Sequence, residues 1–115
     1  MKAYLRKEWQ SMKRIAQVMY INPDSYDKYA KRHAEIWPEM QKALKDHGAT
    51  NYSIYLNRAN GQTLAYLEVP DVATYNAIAE TDICKKWWHY MEPIMKTNPD
   101  ESPVADDLEE VFHLD

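Results

Sequence analysis

An α+β fold, one antiparallel sheet with helices packed on it, is predicted by three features of the sequence. Apolar and turn-forming residues alternate so that segments read strand, helix, strand, strand, helix, strand. The middle strands meet across Asn60-Gly61, a pair that favours the tight turn of an antiparallel hairpin. The chain has 115 residues, 45% of them apolar, which suits one domain with a real core.

The elements follow in order. Residues Met1 to Met12 are polar, carry an isolated Trp9, and read as an extension to the fold, a non-native leader or an artefact of start-site choice, before a single domain over residues 12–115. Met12 is itself a candidate start, and a chain beginning there is expected to fold normally. Lys13 to Ile21 reads as a strand through Ile15, Val18, Tyr20 and Ile21. Asn22-Pro23-Asp24 is read as an N-cap, first helical residue and dipole-paired acid, giving a helix over Pro23 to Ala34. Trp37-Pro38 interrupts it, because the residue before proline avoids helical angles. Pro38 to Asp46 resumes as helix and stops at His47-Gly48, where glycine supplies a left-handed cap. Ala49 to Leu56 and Gln62 to Val69 are the hairpin strands. Asp71 opens a helix to about Ala79, and Thr81-Asp82 caps another through Met91. Met95 to Asp106 reads as an ordered loop and Leu108 to Leu114 as a closing strand.

This βαββαβ order is the ferredoxin-like arrangement, with helices on one sheet face. Both faces of the hairpin strands are apolar or aromatic: Tyr52 and Ile54 against Tyr55, and Leu64 and Tyr66 against Ala65, Leu67 and Val69. A face left to water would be polar. The second face is therefore expected to be covered, most simply by another copy in a homodimer.

Charge and composition exclude several functions. Net charge is −4, and no basic run of the kind that nucleic acid demands is present. No apolar stretch approaches the roughly 18 residues of a membrane span, and the N-terminus lacks the apolar centre of a signal peptide. Cys84 is the single cysteine, so a reduced, cytoplasmic protein is expected. With only Gly48 and Gly61 as glycines there is no phosphate loop, and a nucleotide cofactor is not expected. No cofactor is called for, and no metal: His33 and Glu35, two apart, point to different helix faces.

The residues that could carry chemistry lie in two places. Tyr29 and His33 are four apart on the first helix and neighbour each other. A histidine exchanges protons near neutrality, although on base rates a helical histidine on a partly solvated face is more often only that. The other place is Cys84-Lys85-Lys86-Trp87-Trp88-His89-Tyr90-Met91. Successive helix residues point about 100° apart, so the tryptophans differ in role. Trp88, on the Cys84/Met91 stripe, is assigned to packing and Trp87 to the edge of a site, though two core tryptophans and no site fit the run equally well. A flat aromatic face beside hydrogen-bonding groups is what a sugar site requires. Cys84 on the core stripe is expected to be inert.

Four stretches, Arg32–Glu39, His47–Leu56, Thr81–Met91 and Asn98–Val104, together with the closing Leu108–Leu114, resemble the L-rhamnose mutarotases. The paired tryptophans and the Asn98-Pro99-Asp100-x-Ser102-Pro103 loop are the most specific. The resemblance runs from Met12 onward; the residues before it depart from the family. It implies a dimeric α/β-barrel of ferredoxin-like subunits, interconverting the α and β anomers of L-rhamnose without a cofactor. It also implies His33 as proton donor, with Tyr29, Tyr52, Trp87 and Trp88 lining the sugar site. Dimeric barrels of this kind also serve as non-catalytic ligand-binding modules and as cofactor-free or haem oxygenases, since fold alone does not set function. A titrating histidine beside the aromatics favours the enzyme over a sensor.

Overall fold

The structure is a computed structural model that describes residues 12–115; the expectations for Met1 to Ser11, Trp9 included, lie outside the described residues. Strand β1 spans Lys13–Tyr20, helix α1 Tyr26–Ala34 and helix α2 Pro38–Asp46. Strands β2 (Thr50–Leu56) and β3 (Gln62–Val69) form the hairpin. Helix α3 (Val72–Asn76) continues as a 3₁₀ turn, and helix α4 covers Asp82–Met91. The last strand, β4, is Asp106–Asp107.

The sheet order is β2-β3-β1-β4, with every pairing antiparallel. This is the predicted ferredoxin-like α+β topology. Among the described residues, helices pack on one face only. Thr63, Ala65, Leu67 and Val69 point into it and are buried, while Gln62 and Leu64, which alternate with them, are exposed. The main core joins α1, α2 and α4 to the sheet through Tyr29, Met40, Ala43, Cys84, Trp87 and Met91.

Three expectations are corrected. Helix α1 begins at Tyr26, not Pro23, with Ser25 in the cap position. The Asn22 carbonyl accepts from the Ser25 N–H at 2.9 Å, and the Asn22 side chain donates to the Pro93 carbonyl, so this segment is a turn tied to a distant loop. Helix α3, expected as one helix from Asp71 to about Ala79, is capped by Asp71, which accepts from the Thr74 N–H, but stops at Asn76 and tightens into 3₁₀ geometry over Ala77–Glu80. The closing strand Leu108–Leu114 does not form. Pairing is confined to Asp106 and Asp107, opposite Val18 and Gln17. The Leu108 to Leu114 pattern is apolar enough for a strand, but within one chain it has no second strand on its outer side.

Gly48 caps α2 at φ +91°, as its sequence position predicts. Gly61 is more tightly constrained. It closes the hairpin at φ +76°, and a Cβ built on it would lie 2.6 Å from the Ile21 carbonyl oxygen. Gly61→Ala is therefore expected to lower stability by about 3 kcal/mol, combining left-handed strain with a backbone clash. Urea unfolding checks this; a loss below about 1 kcal/mol would refute it.

Candidate active site

One cavity of about 640 Å³ opens between the sheet and the helices, within the range of small-molecule sites. Tyr29, His33, Tyr52, Trp87 and Trp88 all line it. The periodicities explain why. Tyr29 and His33 stack four apart on the inward face of α1, Tyr52 stands on the helix-facing side of β2, and the tryptophans project from α4.

His33 is held by its neighbours. Its ring lies 4.4 Å from that of Tyr29 and 5.5 Å from that of Trp87, nearly perpendicular to the indole. Its Nδ1 is 3.2 Å from the Tyr29 carbonyl. A carbonyl only accepts, so Nδ1 carries the proton and Nε2 is the bare, basic nitrogen of the neutral ring. Burial lowers the His33 pKa from its ordinary value, partly offset by that hydrogen bond. The imidazole is thus neutral at pH 7, ready to take a proton.

The tyrosines behave oppositely. Burial raises the pKa of both Tyr29 and Tyr52, so each remains a hydroxyl donor throughout the neutral range. Cys84 also lines the cavity, but burial pushes its thiol up to about 11 and it is protonated, as its core position predicts.

The burial expected of the two tryptophans is reversed, while both line the cavity. Trp87 is buried at 7% exposure with Cys84 and Met91, whereas Trp88 is half-buried and packs against that core. Positions 84, 87, 88 and 91 share one helical stripe, and its centre falls on Trp87, against which His33 of α1 and Trp37 pack. Trp37 packs edge-on against Trp87 at 5.1 Å and also meets Tyr90, whose ring carries the Arg32 guanidinium at 3.9 Å. This aromatic layer fixes the Trp87 ring.

Several lining residues were not singled out from sequence. Gln17 is the polar member of the inward row Ile15, Gln17, Met19 on β1, an interruption of the alternation that is visible in the sequence. Tyr75 lines the cavity together with Tyr52. Ser102, Pro103 and Ala105 bring the proline loop to the cavity wall. The other histidines lie elsewhere. His47 bonds the Ala43 carbonyl at the α2 C-terminus, as predicted, His89 pairs with Glu101 on the surface, and His113 pairs with Asp115. Among the described residues, no group of three His, Cys, Asp or Glu side chains is placed to hold a metal ion. None of their helices is long and apolar enough to cross a membrane.

A ferredoxin-like sheet, an aromatic-lined cavity of small-molecule size, and a neutral histidine between a tyrosine and an indole define a class: small α+β proteins with a titratable group on the wall of an aromatic pocket. Residues 14–114 match the sequence profile of the L-rhamnose mutarotases. The chain is 72% identical over 104 residues to an L-rhamnose mutarotase of Lactiplantibacillus plantarum, covering 90% of this chain and all of that one. To the Bacillus subtilis L-rhamnose mutarotase it is 52% identical at the same coverage. The solved L-rhamnose mutarotase of Formosa agariphila superposes with a TM-score of 0.82 at 38% identity, over 90% of this chain and 99% of that one. The chain belongs to the L-rhamnose mutarotase family. A candidate antibiotic biosynthesis monooxygenase from Nitrosomonas europaea, 10% identical with a TM-score of 0.61, covering 89% of this chain and 92% of that one, shares the fold alone.

Proposed function

We propose that this chain interconverts the α and β anomers of L-rhamnose, with His33 moving the proton and Tyr29, Tyr52, Trp87 and Trp88 holding the sugar. The observation that carries the reading is the neutral His33 ring set between Tyr29 and Trp87 on the wall of one cavity. Mutarotation needs the anomeric hydroxyl to lose a proton while the bond from the anomeric carbon to the ring oxygen breaks and that oxygen gains one. The open-chain aldehyde then turns and recloses on its other face. Both oxygens sit on the anomeric carbon, so one imidazole nitrogen serves them in sequence. Nε2 takes the anomeric proton, and the imidazolium donates it to the ring oxygen. The tyrosine hydroxyls, kept protonated by burial, donate to sugar oxygens where negative charge develops. The methyl-bearing face of the sugar lies against indole.

Saturation-transfer NMR on L-rhamnose tests this. Exchange between the two anomeric proton signals is expected to rise in proportion to protein added; folded protein that leaves the exchange at its buffer rate would overturn the reading.

The same proposal includes a homodimer, supported by the sheet face turned away from the helices. Cross-strand partners share a face, which places Ala16, Val18, Tyr20, Tyr55, Leu64 and Tyr66 together on it. Tyr55 is 66% and Leu64 40% exposed. A reducing cytoplasm suits the single unpaired Cys84.

A further inference from the structure

Gln17 stands between Ile15 and Met19 in the inward row of β1, where an apolar residue would continue the pattern. An amide on that face costs free energy unless its polar groups are bonded. One bond is made within the chain: Gln17 Nε2 donates to the Asp107 carboxylate at 2.8 Å. A carboxylate only accepts, so this contact fixes which way round the amide sits. The two residues also face each other in the β1–β4 pairing. Asp107 lies on the exposed rim, two positions beyond Ala105, where the proline loop leaves the cavity wall. Among the described residues, no hydrogen bond reaches the Gln17 Oε1, and the side chain lines the same cavity as His33. Across the sheet Gln17 pairs with Ala65, and Ala65 with Ile54. Ala65 is the smallest residue of the inward row of β3, so the floor of the cavity is low beside the amide.

We propose that Gln17 is a substrate-binding residue that sets specificity: its amide, held by Asp107, hydrogen-bonds a ring hydroxyl of the sugar away from the anomeric carbon. The proposal rests on the mutarotase reading above and deepens it. His33 and the tryptophans project from helices, whereas Gln17 projects from the sheet, so a sugar between them is held from two sides. Indole faces grip a sugar without reading where its hydroxyls point. An amide reads them, because its hydrogen bonds are directional. Asp107 is a positioning residue: its charge-assisted bond holds the Gln17 side chain in place before the sugar arrives. The hydroxyl is remote from the bonds that change, so the contact is equally strong in ground state and transition state and acts on KM rather than kcat.

The test measures anomer exchange by NMR across a series of sugar concentrations. Gln17→Met keeps the length of the side chain and removes its polar groups. It is expected to raise KM for L-rhamnose about five- to tenfold, the worth of one hydrogen bond, with kcat within about twofold of wild type. Asp107→Ala, on the exposed rim, leaves the sheet face untouched and should raise KM about threefold, while Asp107→Asn, which keeps an acceptor, should recover most of that loss. The 2-, 3- and 4-deoxy derivatives of L-rhamnose then name the hydroxyl. One of them should bind the wild type more weakly by about the same factor, and lose little further in Gln17→Met, because both changes remove a single contact. An unchanged KM in Gln17→Met, a fall in kcat alone, or deoxy losses that carry over in full into Gln17→Met would each overturn the proposal while leaving the mutarotase reading standing. Wild-type protein that leaves exchange at its buffer rate would overturn that reading and this proposal with it.

Discussion

Replacing His33 with Ala is expected to slow enzyme-catalysed anomer exchange by about 10²-fold or more, since a positioned acid–base group contributes 10² to 10⁴. His33→Gln keeps a polar side chain near the Tyr29 carbonyl and should be similarly slow, which separates proton transfer from packing. The pH profile offers a second readout. The neutral ring is the working form, and burial lowers the pKa of His33 below its ordinary 6.5. Wild-type activity should therefore stay level through neutrality and fall only as acid protonates the ring, with a midpoint below 6.5. The residual activity of His33→Ala should lack that acid limb. A folded His33→Ala that exchanges anomers at the wild-type rate would remove His33 from the mechanism. Exchange followed by NMR at a series of pH values decides both points.

Trp87→Ala should cost about 3–5 kcal/mol of stability, the usual range for truncating a buried indole. Trp87 is buried in the α4 stripe and contacts the rings of His33, Trp37 and Tyr90, so its loss opens a cavity and frees the His33 ring. Trp88→Ala should cost clearly less, because Trp88 is only half-buried and the core remains closed behind it. Both variants should weaken quenching of tryptophan fluorescence by L-rhamnose, since both rings line the cavity. Equal stability losses, or a larger one for Trp88, would contradict this order. Urea unfolding of the two variants side by side measures it.

Much of the fold was legible because local rules and tertiary structure agree over most of the chain. The Asn60-Gly61 turn, the Gly48 cap, the Pro38 start of α2 and the Thr81 cap of α4 are each set by the chemistry of one or two residues. Helix α1 was misread at its start because Asn22-Pro23-Asp24 suits both a cap and a turn. The choice was made by Ile94 and Pro93, whose carbonyls accept from the Asn22 backbone and side chain some seventy residues away.

The sequence by itself determined the order of strands and helices as far as Met91, the hairpin, and the spacing that puts Tyr29 above His33 and Cys84 in line with Met91. These depend on the 3.6 and 2 residue periods and on turn residues, which act over a few positions. Which tryptophan is buried was decided by the tertiary structure, because a helical stripe has a width and only the element packed against it selects its centre. Gln17, Tyr75 and the Ser102 loop joined the cavity in the same way, from positions far apart in the chain. So did the fate of the last residues: their pattern reads as a strand, but a strand needs a neighbour to share its hydrogen bonds, and β1 pairs with Asp106 and Asp107 before them and takes one further bond from the Leu108 N–H.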